Sequence, residues 1–140
     1  ANQAAAIEVN DTNVTTATFH GATSQRLESF DLALNNEVVY KETASSKEVL
    51  ITNRAPGGTA VVEEPVRATT DYFSKAETAA TGNSSIVLGS SAGNIVTVNV
   101  PQTDITGVSR GDTNGVNSLN LPYLALPTTA GNNELSIVMT

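Results

Sequence analysis

The chain has no cysteine, which excludes disulfide stapling, thiol nucleophiles and cysteine-ligated zinc. It has no tryptophan and a single histidine, so any imidazole chemistry rests on His20 alone. Basic side chains are few, seven against fourteen acidic ones, for a formal charge of -7. They stand scattered at Arg26, Lys41, Lys47, Arg54, Arg67, Lys75 and Arg110, whereas gripping nucleic acid needs clustered Lys and Arg. No apolar run approaches the ~18 residues that span a bilayer. The opening residues do not read as a charged-then-apolar signal segment.

What is present is β-forming and weakly charged. Only 15% of the residues are charged, while Thr, Val, Asn, Ser and Ala are abundant. Thr and Val favour a pleated, half-buried surface, and Asn, Ser and Gly favour turns. At 140 residues the chain reads as one domain over residues 1–140, able to bury roughly two thirds of its unfolded surface. No internal repeat and no dividing linker is visible.

Successive segments alternate between strand and turn signals. Val14–Phe19 is strongly β-prone, and Phe30–Leu34 alternates with the period of a half-buried strand. Asn35-Asn36 is placed to close a tight hairpin onto a next strand, Glu37–Thr43. Glu48–Arg54 follows, and Ala55-Pro56-Gly57-Gly58 reads as a turn in which Gly supplies positive φ. Thr59–Glu63 resumes as strand until Pro65. One helix is expected, over about residues 70–80, with Thr70 as N-cap, Asp71 in the first turn and Gly82 past its end. Its apolar stripe (Tyr72, Phe73, Ala76) suits a short helix plugging one side of a core. Ser85–Leu88, Ile95–Val100 (ended by Pro101), Asn117–Leu126 and Glu134–Met139 complete the strands. The spacing predicts a mainly β fold, an antiparallel β-sandwich or barrel with one short flanking helix.

Candidate chemistry is thin. His20 lies in a β-prone stretch without the G-x-S-x-G elbow that would accompany a serine nucleophile. Glu63-Glu64 is the one adjacent acidic pair, but neighbours in a strand point to opposite faces and do not converge on one substrate. It is expected to straddle an edge strand. Gly89–Gly93 is too short for a phosphate loop and lacks its Lys, so it reads as a hairpin loop. The Asn-x-Ser/Thr triplets at Asn10, Asn13 and Asn83 are expected by chance in a chain this rich in those residues. Arg110-Gly111-Asp112 spells the tripeptide that adhesion receptors read. Asp112-Thr113-Asn114-Gly115 opens like a calcium loop but is short and has no closing Glu. Asn114-Gly115 is instead a strong hairpin signal, launching a strand whose Leu119 and Leu121 face the core, with Pro122 near an edge or bulge. No catalytic, cofactor-binding or metal-binding residue is assigned.

The order of these pieces carries a likeness. The Arg-x-Pro-Gly-Gly segment at Arg54–Gly58 is followed by a short helix. The Gly-Asp-x-Asn-Gly turn at Gly111–Gly115 then leads into Leu119-Asn120-Leu121-Pro122, and Gly131-Asn132-Asn133-Glu134-Leu135-Ser136-Ile137 closes the series. Over roughly Phe30 to Met139 the chain resembles the major tail tube proteins of long-tailed bacteriophages and their prophage relatives. The resemblance implies a non-enzymatic structural virion protein, made in the bacterial host cytoplasm. Its partners would be copies of itself in stacked rings and other tail proteins, with no membrane. DNA would pass through the lumen without specific binding, and a negative surface suits that passage. Many relatives are longer, with an additional domain of similar kind. No long insertion is read here for an inter-ring loop. Two alternatives stay open: a receptor- or glycan-binding β-sandwich module, of adhesin or tail-tip type, and a capsid decoration protein.

Overall fold

Extended segments dominate the computed structural model, which describes residues 8–23 and 25–140. The strands are β1 (Val14–Thr18), β2 (Leu27–Phe30), β3 (Glu37–Glu42), β4 (Lys47–Asn53) and β5 (Gly57–Glu63), then β6 (Thr81–Leu88), β7 (Val96–Ile105), β8 (Ser109–Thr113), β9 (Val116–Leu126) and β10 (Ser136–Met139). The one helix among the described residues, α1 (Tyr72–Glu77), joins β5 to β6. The fold is mainly β and antiparallel, consistent with a β-sandwich.

An eight-stranded sheet follows the path β1-β6-β7-β9-β5-β2, with β10 beside β7 and β8 beside β9. Two prolines stand where partners change. β7 does not stop at Pro101, as the sequence suggests, but runs through it. Pro101 falls where β7 hands over from β10 (Asn99↔Ser136) to β9 (Gln102↔Leu126), and opposite an irregularity in β6. A missing N–H breaks no ladder there. Pro122 likewise sits between the part of β9 paired with β8, ending at Asn120, and the part paired with β7, from Tyr123. Its carbonyl accepts from Thr106 N at 2.9 Å, so the expected edge or bulge is the short break between β7 and β8.

Gly57 and Gly58 are not turn residues. They open β5, and neither has positive φ. Glycine is required by proximity: a Cβ on Gly57 would stand 2.6 Å from the Tyr123 carbonyl oxygen, and one on Gly58 would collide with the Asp31 carbonyl.

The core is built on Phe19, Val62, Tyr72, Ile105, Leu119, Leu121 and Tyr123. Phe19 packs against Tyr123 and Tyr72 with ring centroids 5.8 and 6.0 Å apart, and Phe30 stacks on Tyr123 at 5.3 Å. Such aromatic pairs each contribute about 0.5–1.5 kcal/mol beyond burial. Leu119 and Leu121 face inward as their spacing requires. The helix does plug the core, through Tyr72. Its cap is Asp71 rather than Thr70: the Asp71 carboxylate accepts from Phe73 N and Ser74 N at 3.1 and 3.2 Å. A carboxylate at this position adds a favourable charge–dipole interaction that a hydroxyl lacks. The helix ends at Thr78, with Ala79 left-handed at φ 48, so Gly82 does not terminate it. Gly82 lies within β6, where a Cβ would press on the His20 ring at 2.7 Å.

Candidate functional site: a projecting hairpin

The chemically suggestive residues are occupied by structural work. His20 is buried at φ 49, its backbone N–H donating to Ser84 Oγ at 3.0 Å. Its Nε2 lies 2.7 Å from the Ala80 carbonyl. A carbonyl only accepts, so Nε2 carries the proton. Thr103 Oγ1 donates to Ser84 Oγ at 2.8 Å, and Lys75 Nζ donates to the His20 carbonyl at 3.1 Å. His20 thus ties the turn after β1 to the α1–β6 connection through its ring, and to β6 and α1 through its backbone.

Glu63 and Glu64 diverge to separate arginines, Arg26 and Arg110, each at 3.0 Å. β5 lies between β9 and β2, so the pair does not mark an edge strand. Gly89 and Gly93, at φ 94 and 92, shape the β6–β7 connection as expected. Asn10 Oδ1 accepts from Thr12 N and Asn13 N at 3.1 and 2.9 Å, closing a turn, and Asn83 lies exposed in β6.

The Arg-Gly-Asp tripeptide lies within β8, paired along β9, not at a loop tip. The Arg110 guanidinium pairs with Glu64 and stands 5.2 Å over the Phe73 ring, which Arg67 flanks at 5.4 Å. Asp112 Oδ1 accepts from Gly115 N at 3.0 Å. The turn itself is narrower than Gly111–Gly115. Thr113 pairs with Val116, and Asn114 and Gly115 sit between them at φ 55 and 84, the pattern of a type I′ turn. Among the described residues no group of three His, Cys, Asp or Glu side chains is placed to hold a metal ion. Among them, too, no helix is long and apolar enough to cross a membrane.

One element remains unexplained by the fold. Among the described residues β3 and β4 pair only with each other, as a two-stranded sheet apart from the main one. Every residue of both strands is exposed. Asn35-Asn36 does not close a hairpin from the preceding segment. β2 pairs with β5 instead, and Asn35, left-handed at φ 48, turns the chain outward. The last pair before the projection is Ala33↔Gly57, whose two backbone hydrogen bonds measure 2.8 and 3.0 Å.

Cross-strand register sets the chemistry of the projection. Val38 faces Ile51 and Tyr40 faces Val49 on one side, while Val39 faces Leu50 on the other. Val38, Tyr40, Val49 and Ile51 expose 59, 57, 66 and 60% of their surface, a contiguous apolar block held away from the core. The tip is polar: Lys47 Nζ meets Glu42 Oε1 at 2.7 Å, and Thr43 N donates to the Ser46 carbonyl at 2.8 Å. An isolated two-stranded ribbon is marginal in water, and contiguous exposed apolar area marks an interaction surface.

The sequence held a signal for this. Val38-Val39-Tyr40 and Val49-Leu50-Ile51 are continuous apolar triplets, the pattern of strands covered on both faces rather than one. Elsewhere, the two ends of the sheet path, β1 and β2, line an open apolar groove of about 290 Å³ floored by Ile86, Leu88 and Val98. At the hairpin's base a polar cleft is lined by Arg54, Asn132 and Glu134. No family model, curated protein or solved structure matches the chain.

Proposed function

We propose that the chain is a non-enzymatic structural subunit that assembles with copies of itself, in the manner of a phage tail tube. The observation that carries this reading is the β3–β4 hairpin, apolar on both faces and, among the described residues, paired with no other strand. A surface of this kind is covered in the working state, and a repeating assembly supplies the cover from the next copy. Contacts between unlike patches of identical subunits are heterologous, and they generate rings or open tubes.

Further support comes from the sheet margins. Among the described residues β1 and β2 end the path of the main sheet, and β10 has β7 as its one strand partner. Such margins present backbone groups able to pair with a neighbouring chain. The likeness to tail tube proteins in Arg54–Gly58, Gly111–Pro122 and Gly131–Ile137 supplies the form of the assembly: stacked rings around a conduit for DNA in a virion tail. A formal charge of -7 favours passage of phosphates over their retention. Although no long insertion stands out in the sequence, the β3–β4 hairpin takes the part of the inter-ring loop.

Sedimentation velocity and negative-stain microscopy over a concentration series test the reading. Rings or tubes growing with concentration are expected. A chain that remains monomeric throughout, with Val38, Tyr40, Val49 and Ile51 intact, refutes it.

A further inference from the structure

We propose that Arg54 is the positioning residue that aims the β3–β4 hairpin at its partner copy, an inference that rests on the assembly reading. Past the Ala33↔Gly57 bridge the two legs need something to fix their angle to the main sheet. Asn35 Nδ2 donates to the Ala55 carbonyl at 3.0 Å, closing the base of the hairpin on itself. Among the described residues, the side-chain hydrogen bonds joining residues 34–55 to the rest of the molecule come from Arg54 alone. Its Nη2 donates to Asn132 Oδ1 at 2.9 Å and meets Glu134 Oε1 at 2.8 Å.

The receiving side is already shaped for this contact. Asn132 is left-handed at φ 55, a backbone conformation that Asn tolerates better than most residues. The β9–β10 connection is braced by Thr128 N donating to Asn133 Oδ1 at 2.9 Å and Asn133 Nδ2 donating to Thr128 Oγ1 at 2.6 Å. The Glu134 side chain is 12% exposed and the Arg54 side chain 43%, so the pair is screened less than a surface ion pair. One nitrogen with two hydrogens in a fixed plane reaches two acceptors on a rigid loop. That geometry defines an angle, which a flexible ammonium does not. An arm held at one angle loses less conformational entropy on docking, and preorganisation of this kind strengthens association without adding a contact.

The absence of cysteine makes the test direct. Nitroxide labels at Ser45→Cys, at the hairpin tip, and Ser90→Cys, on the β6–β7 connection, report the arm's angle as a distance distribution by pulsed dipolar spectroscopy on dilute, unassembled protein. The parent is expected to give one narrow distribution. Arg54→Ala and Glu134→Gln are expected to broaden it at unchanged circular dichroism, and to raise the concentration needed for assembly by roughly tenfold or more. The exchanged pair Arg54→Glu with Glu134→Arg is expected to restore much of both. A distribution as narrow in Arg54→Ala and Glu134→Gln as in the parent overturns the proposal. So does a broadened arm that assembles as readily as before. If the parent never assembles, the assembly reading fails while the distance measurement still decides whether Arg54 holds the arm.

Discussion

Two tyrosines in the same core carry opposite hydrogen-bond situations. Among the described residues Tyr72 Oη is buried with no partner, whereas Tyr123 Oη donates to the Asp31 carbonyl at 2.7 Å. Removing an unpaired buried hydroxyl relieves a desolvation penalty, while removing a paired one forfeits a bond. Tyr72→Phe is therefore expected to leave stability unchanged or raise it by about 1 kcal/mol, and Tyr123→Phe to lower it by about 1 kcal/mol, in urea titrations. Burial pushes the Tyr72 phenol up from 10.0 to about 12, and burial with the Asp31 charge pushes Tyr123 up as well. Between about pH 10 and 12 the unfolded chain sheds a Tyr72 proton that the folded chain keeps, so stability falls as pH rises through that window. Tyr72→Phe should shallow this alkaline slope. A steeper slope, or a loss of stability at neutral pH, would contradict the assignment. Gly58→Ala tests proximity rather than conformation. The added methyl meets the Asp31 backbone carbonyl, which moves only with the chain between β2 and β3, so a loss of about 1–3 kcal/mol is expected.

At the scale of elements, α1 is six residues long and would not persist without its cap and the burial of Tyr72. Arg67 Nε lies 2.9 Å from Asp71 Oδ2. That hydrogen bond, with those from the Ser74 and Phe73 N–H groups, holds the Asp71 carboxyl below its usual range. A depressed acid contributes stability that is present above its unfolded pKa, near 4, and is lost as pH falls through the lower folded value. Asp71→Ala is expected to lower the melting temperature at pH 7, and the difference between wild type and variant is expected to shrink as pH falls below the ordinary carboxylate range. A difference that stayed constant down to pH 2 would show that the carboxylate charge is not involved. Elements written in local chemistry were legible in the sequence. The Asn114-Gly115 turn, the inward Leu119 and Leu121, the Gly89–Gly93 loop and the single helix all follow from residues adjacent in the chain. Elements decided by distant neighbours were not. Pro101 reads as a strand end unless β9, β10 and the β6 irregularity are known. Gly57-Gly58 reads as a turn unless Tyr123 and Asp31 are known to press on it. Thr70 reads as the cap with Asp71 in the first turn, and only the geometry of Phe73 N and Ser74 N moves the cap to Asp71.

For the whole molecule, most strands were legible, but β8 was not, β2 lies at Leu27–Phe30 rather than Phe30–Leu34, and strand partnership was not legible. The segments Glu37–Thr43 and Glu48–Arg54 were visible as strands, but their alternation with turns gives no sign that they leave the main sheet together. The signal lies in their apolar triplets, which are too continuous for one-sided burial. That separation is also what makes the hairpin testable apart from the fold. Val38, Tyr40, Val49 and Ile51 touch little of the core, so replacing all four with Thr, a good strand former, should leave urea stability within about 0.5 kcal/mol, as for ordinary surface positions. The most direct measurement is sedimentation velocity of this fourfold variant beside the parent chain across the same concentration series. The expected result is rings or tubes from the parent and folded monomer from the variant. A variant that assembles as the parent does would contradict the account at its centre.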